Sequence, residues 1–450
     1  MVIAIGCAGL VPTPILAAGS GPESLADAMA SAYADNPTLN AQRASLRATD
    51  ENVPQALSGF RPTVSASASA NASTFDSPTY GRSTYYPTTE SITITQPIFT
   101  GFRTVNGLKA ADSAILAARE VLRNTEQTTL LSAVEAFMNL VQAQATLNLQ
   151  KQNLEFLQQQ VKAAQDKLNV GEGTKTDVAQ TNSSLASGQA SYYSAVASLN
   201  NAVATYEQVI GHTPRALGAA KSVENLLSKN LNAALADAMT NHPSILAASY
   251  DIDIAEYNVK IEEGALLPTV ALEGSLSHED GSSASSNGNS ASAVASLSVP
   301  LYSGGATASK VRQAKETLAQ DRLQLDSARD TVRATTISAW GTLDSARAEI
   351  RSADAETSAQ NLVLSGIIEE QKVGQATTLD VLNAQQTLLS ARVALITAQH
   401  DRVVASYSLL ASIGKLNAET LGLKVAVYDP TAHYTAVRDS WGGLRTPDGR

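Results

Sequence analysis

A mainly α-helical fold carrying a small set of β-strands patterned for a membrane is what this sequence predicts. Three observations predict it: the chain repeats itself, the hydrophobic period drops to two at one place in each copy, and long proline-free stretches hold a seven-residue apolar register. Pro37 matches Pro243, and Arg61-Pro62-Thr63-Val64 matches Leu267-Pro268-Thr269-Val270, all 206 residues apart. From Gln96-Pro97-Ile98-Phe99 and Val299-Pro300-Leu301-Tyr302 onward the offset is 203, through Val170-Gly171 and Val373-Gly374 to Ile210-Gly211 and Ile413-Gly414. Such a length lock is expected when both copies must reach the same distance.

The first unit is read over 22–211, with a helix to about 57, strands about 62–76 and 88–99, a long helix 103–168 and a helix 174–210. A linker follows over 212–230. The second unit, 231–414, repeats the order, with a helix to about 264, strands about 268–279 and 291–302, a long helix 306–371 and a helix 377–413. A further segment and tail occupy 415–450. The opening helices show Leu39, Leu46 and Val53 seven apart. In the strands, Val64, Ala66, Ala68 and Ala70 alternate with Ser65, Ser67 and Ser69, and Ile92 and Ile94 alternate with Thr93 and Thr95. Small apolar residues on one side and hydroxyls on the other suit a transmembrane barrel strand, and equally a half-exposed hairpin of a soluble protein. Phe99 and Tyr302 stand where strand gives way to helix, a place for girdle aromatics.

The long helix carries Leu140, Leu147, Leu154, Val161 and Leu168 at coiled-coil spacing, and the last helix carries Leu382, Leu389, Ile396, Val403 and Leu410. At 1.5 Å per residue a helix over 103–168 is about 100 Å long, so the shorter helices must stack end to end to flank it. Between the helices, Gly171 and Gly173 stop the first, and Thr174 with Asp177 forms a capping box for the next. Thr377 and Asp380 repeat the box.

With 44% apolar, 5% aromatic and 16% charged residues, the chain suits thin helical walls better than a thick core. A formal charge of -10 without any basic run speaks against a nucleic-acid partner. Residues 1–18 are uncharged and mostly apolar and read as a signal peptide cut near Ala17 to Gly19. With six residues before Cys7 and Ala4 where leucine is preferred, no lipid anchor is expected there, and the mature chain would then hold no thiol for a disulfide or a metal. His212, His242, His278, His400 and His433 are scattered without ligand spacing, and no nucleophile motif or phosphate loop is present, so no catalysis, metal or cofactor is expected.

Four strands cannot cross a bilayer alone, because unpaired edge groups in hydrocarbon each cost several kcal/mol. Closure requires copies: two chains give eight strands with a filled bore, and three give twelve with room for a lumen. On its duplicated unit, its Pro97 to Gly101 and Pro300 to Gly305 strand exits, and its V-G-x-x-T-x-x-D-V tips, the chain resembles the TolC family of trimeric outer-membrane channel-tunnels over residues 22–423. The resemblance implies a homotrimer with a twelve-stranded barrel in outer-membrane lipid and a helical tunnel through the periplasm. It also implies a belt built from 212–230 and 415–440, and docking to a periplasmic adaptor and an inner-membrane ABC or RND pump. The function it implies is an exit duct for secreted proteins or small toxic compounds. A periplasmic coiled-coil scaffold or adaptor is the alternative.

The resemblance also places the gate. Asp380 falls on the first acidic ring position, and Asn383 stands where a second carboxylate is usual. Ala376 and Gln371 replace an arginine and a tyrosine that lock the closed state in familiar members. Asp177 is the acidic tip residue of the first unit. The adaptor-contact tips implied are Gly171, Glu172, Gly173, Thr174 and Lys175, with Gly374, Gln375, Ala376 and Thr377. Three converging Asp380 carboxylates would repel one another and raise their own pKa values.

Overall fold

The computed structural model describes residues 22–79, 81–281 and 287–449. The expected signal peptide and Cys7 lie outside them. The first unit opens with three short helices, α1 (Leu25–Asp35), α2 (Pro37–Asp50) and α3 (Asn52–Ser58), where one continuous helix is expected. Pro37 explains the first break. It pushes Asn36 to extended backbone (φ -62°, ψ 122°), and the Asn36 side chain then caps α2 through the Thr38 and Leu39 N–H groups. Pro54 accounts for the second, having no N–H for the Asp50 carbonyl. The second unit has only the first of these breaks. His242 (φ -68°, ψ 124°) separates α6 (Leu231–Asn241) from α7 (Pro243–Gly264), and α7 continues because Lys260 stands where the first unit has Pro54.

The strands β1 (Thr63–Ala70), β4 (Thr88–Phe99), β5 (Thr269–Asp280) and β6 (Gly288–Ser298) form one antiparallel sheet in the order β1-β4-β5-β6. The strand expected over 62–76 is interrupted. Asn71 N–H still donates to the Pro87 carbonyl at 2.9 Å, but Pro87 has no N–H to return. Beyond that point β2 (Ser73–Ser77) and β3 (Gly81–Tyr85) form a separate hairpin. The register sorts the main sheet into two faces. Ala66, Ile92, Leu276 and Ala291 lie in one cross-strand row, and Val64, Ile94, Gly274 and Ala293 in another. On the opposite face lie Ser67, Ser91, Ser277 and Ser290, whose hydroxyls meet in pairs at 2.8 Å. An apolar face this exposed is out of place in water.

The wall is made by α4 (Arg103–Asn169), α5 (Lys175–Ile210), α8 (Ala306–Lys372) and α9 (Thr378–Ser412). α4 packs on α5 at one side and α9 at the other, and α9 lies between α4 and α8. In the half nearer the sheet, α1 to α3 flank α4, and α7 fills the place between α4 and α8. The shorter helices meet end to end: Asn36 Nδ2 donates to the Val209 carbonyl at 3.1 Å, and Gly414 sits against the Asn241 and His242 backbone. Burial is deepest at these junctions, around Phe137, Tyr206, Ile210, Leu410 and Ile413. Where sheet meets wall, Gly101 and Gly264 lie so close that a Cβ on either would fall on the other's carbonyl oxygen. No helix among the described residues is long and apolar enough to cross a membrane.

Candidate functional site

The two helical tips share one construction. Gly171 (φ 80°) ends α4 in the left-handed conformation, and the Glu172 and Gly173 N–H groups return to the Lys167 carbonyl at 2.9 and 3.0 Å. Thr174 Oγ1 donates to Asp177 Oδ2 at 2.6 Å, and Asp177 N–H donates to Thr174 Oγ1 at 3.1 Å. In the second tip Gly374 (φ 78°) plays the same part, and Gln375 N–H reaches the Glu370 carbonyl at 2.9 Å. Thr377 Oγ1 donates to Asp380 Oδ2 at 2.7 Å, and Asp380 N–H donates back to Thr377 Oγ1 at 3.2 Å. The hydroxyl of Thr174 holds the Asp177 carboxyl below the ordinary carboxylate range, and that of Thr377 does the same for Asp380. Within one protomer the Asp380 shift is thus downward. Mutual repulsion in an axial ring would act the other way.

Asp380 and Asn383 are both exposed, while their neighbours Val381, Leu382 and Ala384 are buried. One stripe of α9 therefore faces open space beside the tip. Gln371 Nε2 donates to Thr378 Oγ1 at 3.3 Å, tying α8 to the start of α9, and Ala376 offers no side-chain donor. Among the described residues no hydrogen bond or ion pair joins the Asp177 tip to the Asp380 tip.

The two returning helices are held differently, which spacing alone does not reveal. α9 is fastened to α4 by Gln385 with Asn153 (3.1 Å), Gln142 with Thr397 (3.0 Å) and His400 with Asn139 (3.0 Å). It is fastened to α8 by Arg392 with Asn361 at 2.8 Å. Among the described residues no side-chain hydrogen bond ties α5 to another helix between Lys175 and Gln208. At mid-wall, Glu224 of the linker accepts from Arg347 of α8 at 2.8 Å and Arg402 of α9 at 2.7 Å. Those guanidiniums, Arg402 foremost, hold the Glu224 carboxyl below its usual range. One acidic residue in an otherwise ordinary linker gives no sequence signal for this clamp.

Both side edges of the protomer are open. Among the described residues β1 and β6 have no outer partner, and on α8 Leu323 and Leu362 are 70% and 75% exposed. These edges are equivalent to joints already made inside the chain. β4 on β5 joins the first unit to the second, so β6 on a neighbour's β1 is the matching joint. α4 on α9 would likewise be matched by α8 on a second copy's α5.

The sequence profile of the outer membrane efflux protein family matches residues 28–212 and 234–415, one match on each unit. The chain is 43% identical to the outer membrane efflux protein BepC of Brucella suis, covering 95% of this chain and 93% of that one. It is 26% identical to the outer membrane protein TolC of Escherichia coli, covering 89% and 84%. Among solved structures, the Campylobacter jejuni CmeC outer membrane channel superposes with a TM-score of 0.79 at 16% identity, covering 92% of this chain and 89% of that one. With its two-faced sheet, its wall about 100 Å long and both units matched, the chain belongs to the outer membrane efflux protein family.

Proposed function

We propose that three copies close edge to edge into a twelve-stranded barrel continuous with a helical tunnel, and that this assembly is the outer-membrane duct of a tripartite exporter. The observation that carries the reading is the pair of open edges, on sheet and wall alike, each matching a joint already present inside the chain. The apolar rows of the sheet then face lipid and the hydroxyl rows face the lumen. Three subunits favour a lumen; two would leave a bore filled by side chains. In this reading 22–211 and 231–414 are the two structural units, 212–230 and 415–440 supply a belt, and the end of the latter runs on toward the sheet. Energy comes from an inner-membrane pump of the ABC or RND type, since no nucleotide-binding motif is present in the sequence. A periplasmic adaptor engages Gly171 to Lys175 and Gly374 to Thr378, the exposed turns at the wall's far end. The cargo is a secreted protein or a small toxic compound.

Asp380 lines the closed end, with Asn383 one turn on and Asp177 on the outer tip. In planar bilayers Asp380→Ala is expected to reduce cation preference and block by multivalent cations. Unchanged selectivity would remove Asp380 from the pore. Extraction of the protein from outer membranes as a monomer with no heat-modifiable oligomer would defeat the duct itself.

A further inference from the structure

The C-terminal tail does not stop at the belt. Its contacts climb the wall in order toward the sheet. Ala418 N–H donates to Glu126 at 2.8 Å, and Tyr428 N–H to the Tyr33 hydroxyl at 3.0 Å. A short helix, α10 (Ala432–Val437), then lies over α2 and α4. Its His433 meets the buried Asp50 at 3.0 Å, and Tyr434 donates to Asp112 at 3.1 Å. Finally Arg61 donates to the Ser440 carbonyl at 2.6 Å and stacks over the Trp441 ring at 4.5 Å. Along α4 the climb from Glu126 to Asp112 is about 21 Å. It ends at Arg61, two residues before β1 begins.

Having been carried there, the tail presents its apolar groups outward. Trp441 is 75% exposed and Leu444 is fully exposed. Phe60 and Val64, close to Arg61 in sequence, are also exposed, and Val64 belongs to the apolar face of the sheet. Arg438 and Arg445 flank the tryptophan in sequence. An indole at the boundary, cations around it and an aliphatic side chain beyond are the elements of an interfacial anchor. The ring takes the headgroup depth, and arginines meet phosphates. Through His433 with Asp50 and Tyr434 with Asp112, α10 bridges α2 and α4.

We propose that the C-terminal tail is a strap that seats Trp441 and Leu444 in the phospholipid headgroup layer at the helix-side rim of the barrel. The surface it takes is the periplasmic leaflet, continuous with the lipid-facing rows of the sheet. The proposal rests on the barrel reading given above.

The chain has two tryptophans, so Trp340→Phe leaves Trp441 as the sole reporter. In the full-length protein reconstituted in phospholipid vesicles, Trp441 emission is expected to be quenched by lipids brominated near the headgroup and protected from iodide. Arg61→Ala, which frees the tail, should reduce the lipid quenching severalfold. Free access of iodide overturns the proposal, and so does shielding from both quenchers, which would mean that protein covers the ring. A second reporter, Ile94→Trp in a Trp340→Phe, Trp441→Phe background, separates the two readings. Quenching of that reporter alone defeats the strap; quenching of neither defeats the barrel.

Discussion

The two units are built on one plan, yet their returning helices live in different surroundings. Leu388 of α9 is 2% exposed, whereas Leu185, its match 203 residues earlier on α5, is only half-buried. α9 is walled by α4 and α8 and bonded to both; α5 touches chiefly α4. The junctions at the sheet differ in the same sense. Gly101 is pressed against Gly264, while a Cβ on the matching Gly304 would meet no atom of the described residues within 4 Å. Since the sequences match, composition does not explain the difference. The proposed ring accounts for it: one unit finds its neighbour inside the chain, and the other would find it in the next copy.

The comparison is broken most directly at the matched leucines. Leu388→Ala should cost the protomer about 2–5 kcal/mol, as a buried deletion does, and lower its midpoint in chemical denaturation. Leu185→Ala should cost the isolated protomer much less while weakening the trimer. Equal losses in the protomer would mean that α5 and α9 are equivalent without a neighbour.

A somewhat smaller effect sharpens the assignment of the sheet's faces. Leu276→Arg places a guanidinium on the apolar face and should destabilise the reconstituted barrel by about 2–4 kcal/mol if it lies near the bilayer midplane. Ser277→Arg, one residue on and on the hydroxyl face, should leave stability nearly unchanged and alter conductance. A reversed ranking would turn the sheet inside out.

The smallest effect concerns the tips, where the two units should behave alike. Thr174→Ala and Thr377→Ala each remove a capping hydroxyl and should cost about 1 kcal/mol of local helix stability, read as faster amide exchange in the first turns of α5 and α9. Acid gives the same test without mutation. Both capping carboxyls have folded pKa values below 3.8, so their contribution is complete above that pH and fades as pH falls through the folded values. Fraying of both tips is therefore expected only in strong acid. Fraying of the Asp380 tip at a higher pH in the trimer than in the monomer would report the carboxylates crowding one another.

Much of this was legible because it is periodic or local. A capping box needs two residues three apart, and both boxes form. Strand alternation is visible for the same reason, since every second side chain shares a face. Family membership rested on such features recurring in order. The less visible features come from backbone chemistry at single prolines or from pairs far apart in sequence. Pro54 and Pro87 each interrupt an element by lacking one N–H, though the pattern runs on through them. Arg61 with Ser440, and Glu224 with Arg347 and Arg402, join residues that no local pattern connects. The same holds for the tail, whose contacts run from Glu126 to Arg61.

The grip of Glu224 on Arg347 and Arg402 turns the lower part of the second hairpin into a lever. From that fulcrum α8 runs to Lys372, roughly 25 residues or about 38 Å. A tilt of about 10° at the fulcrum would sweep the free end sideways by about 7 Å, on the order of the 5–6 Å separating neighbouring side chains on a helix surface. By geometry alone, a small rotation at mid-wall thus displaces the tip of α8 by about one side-chain spacing.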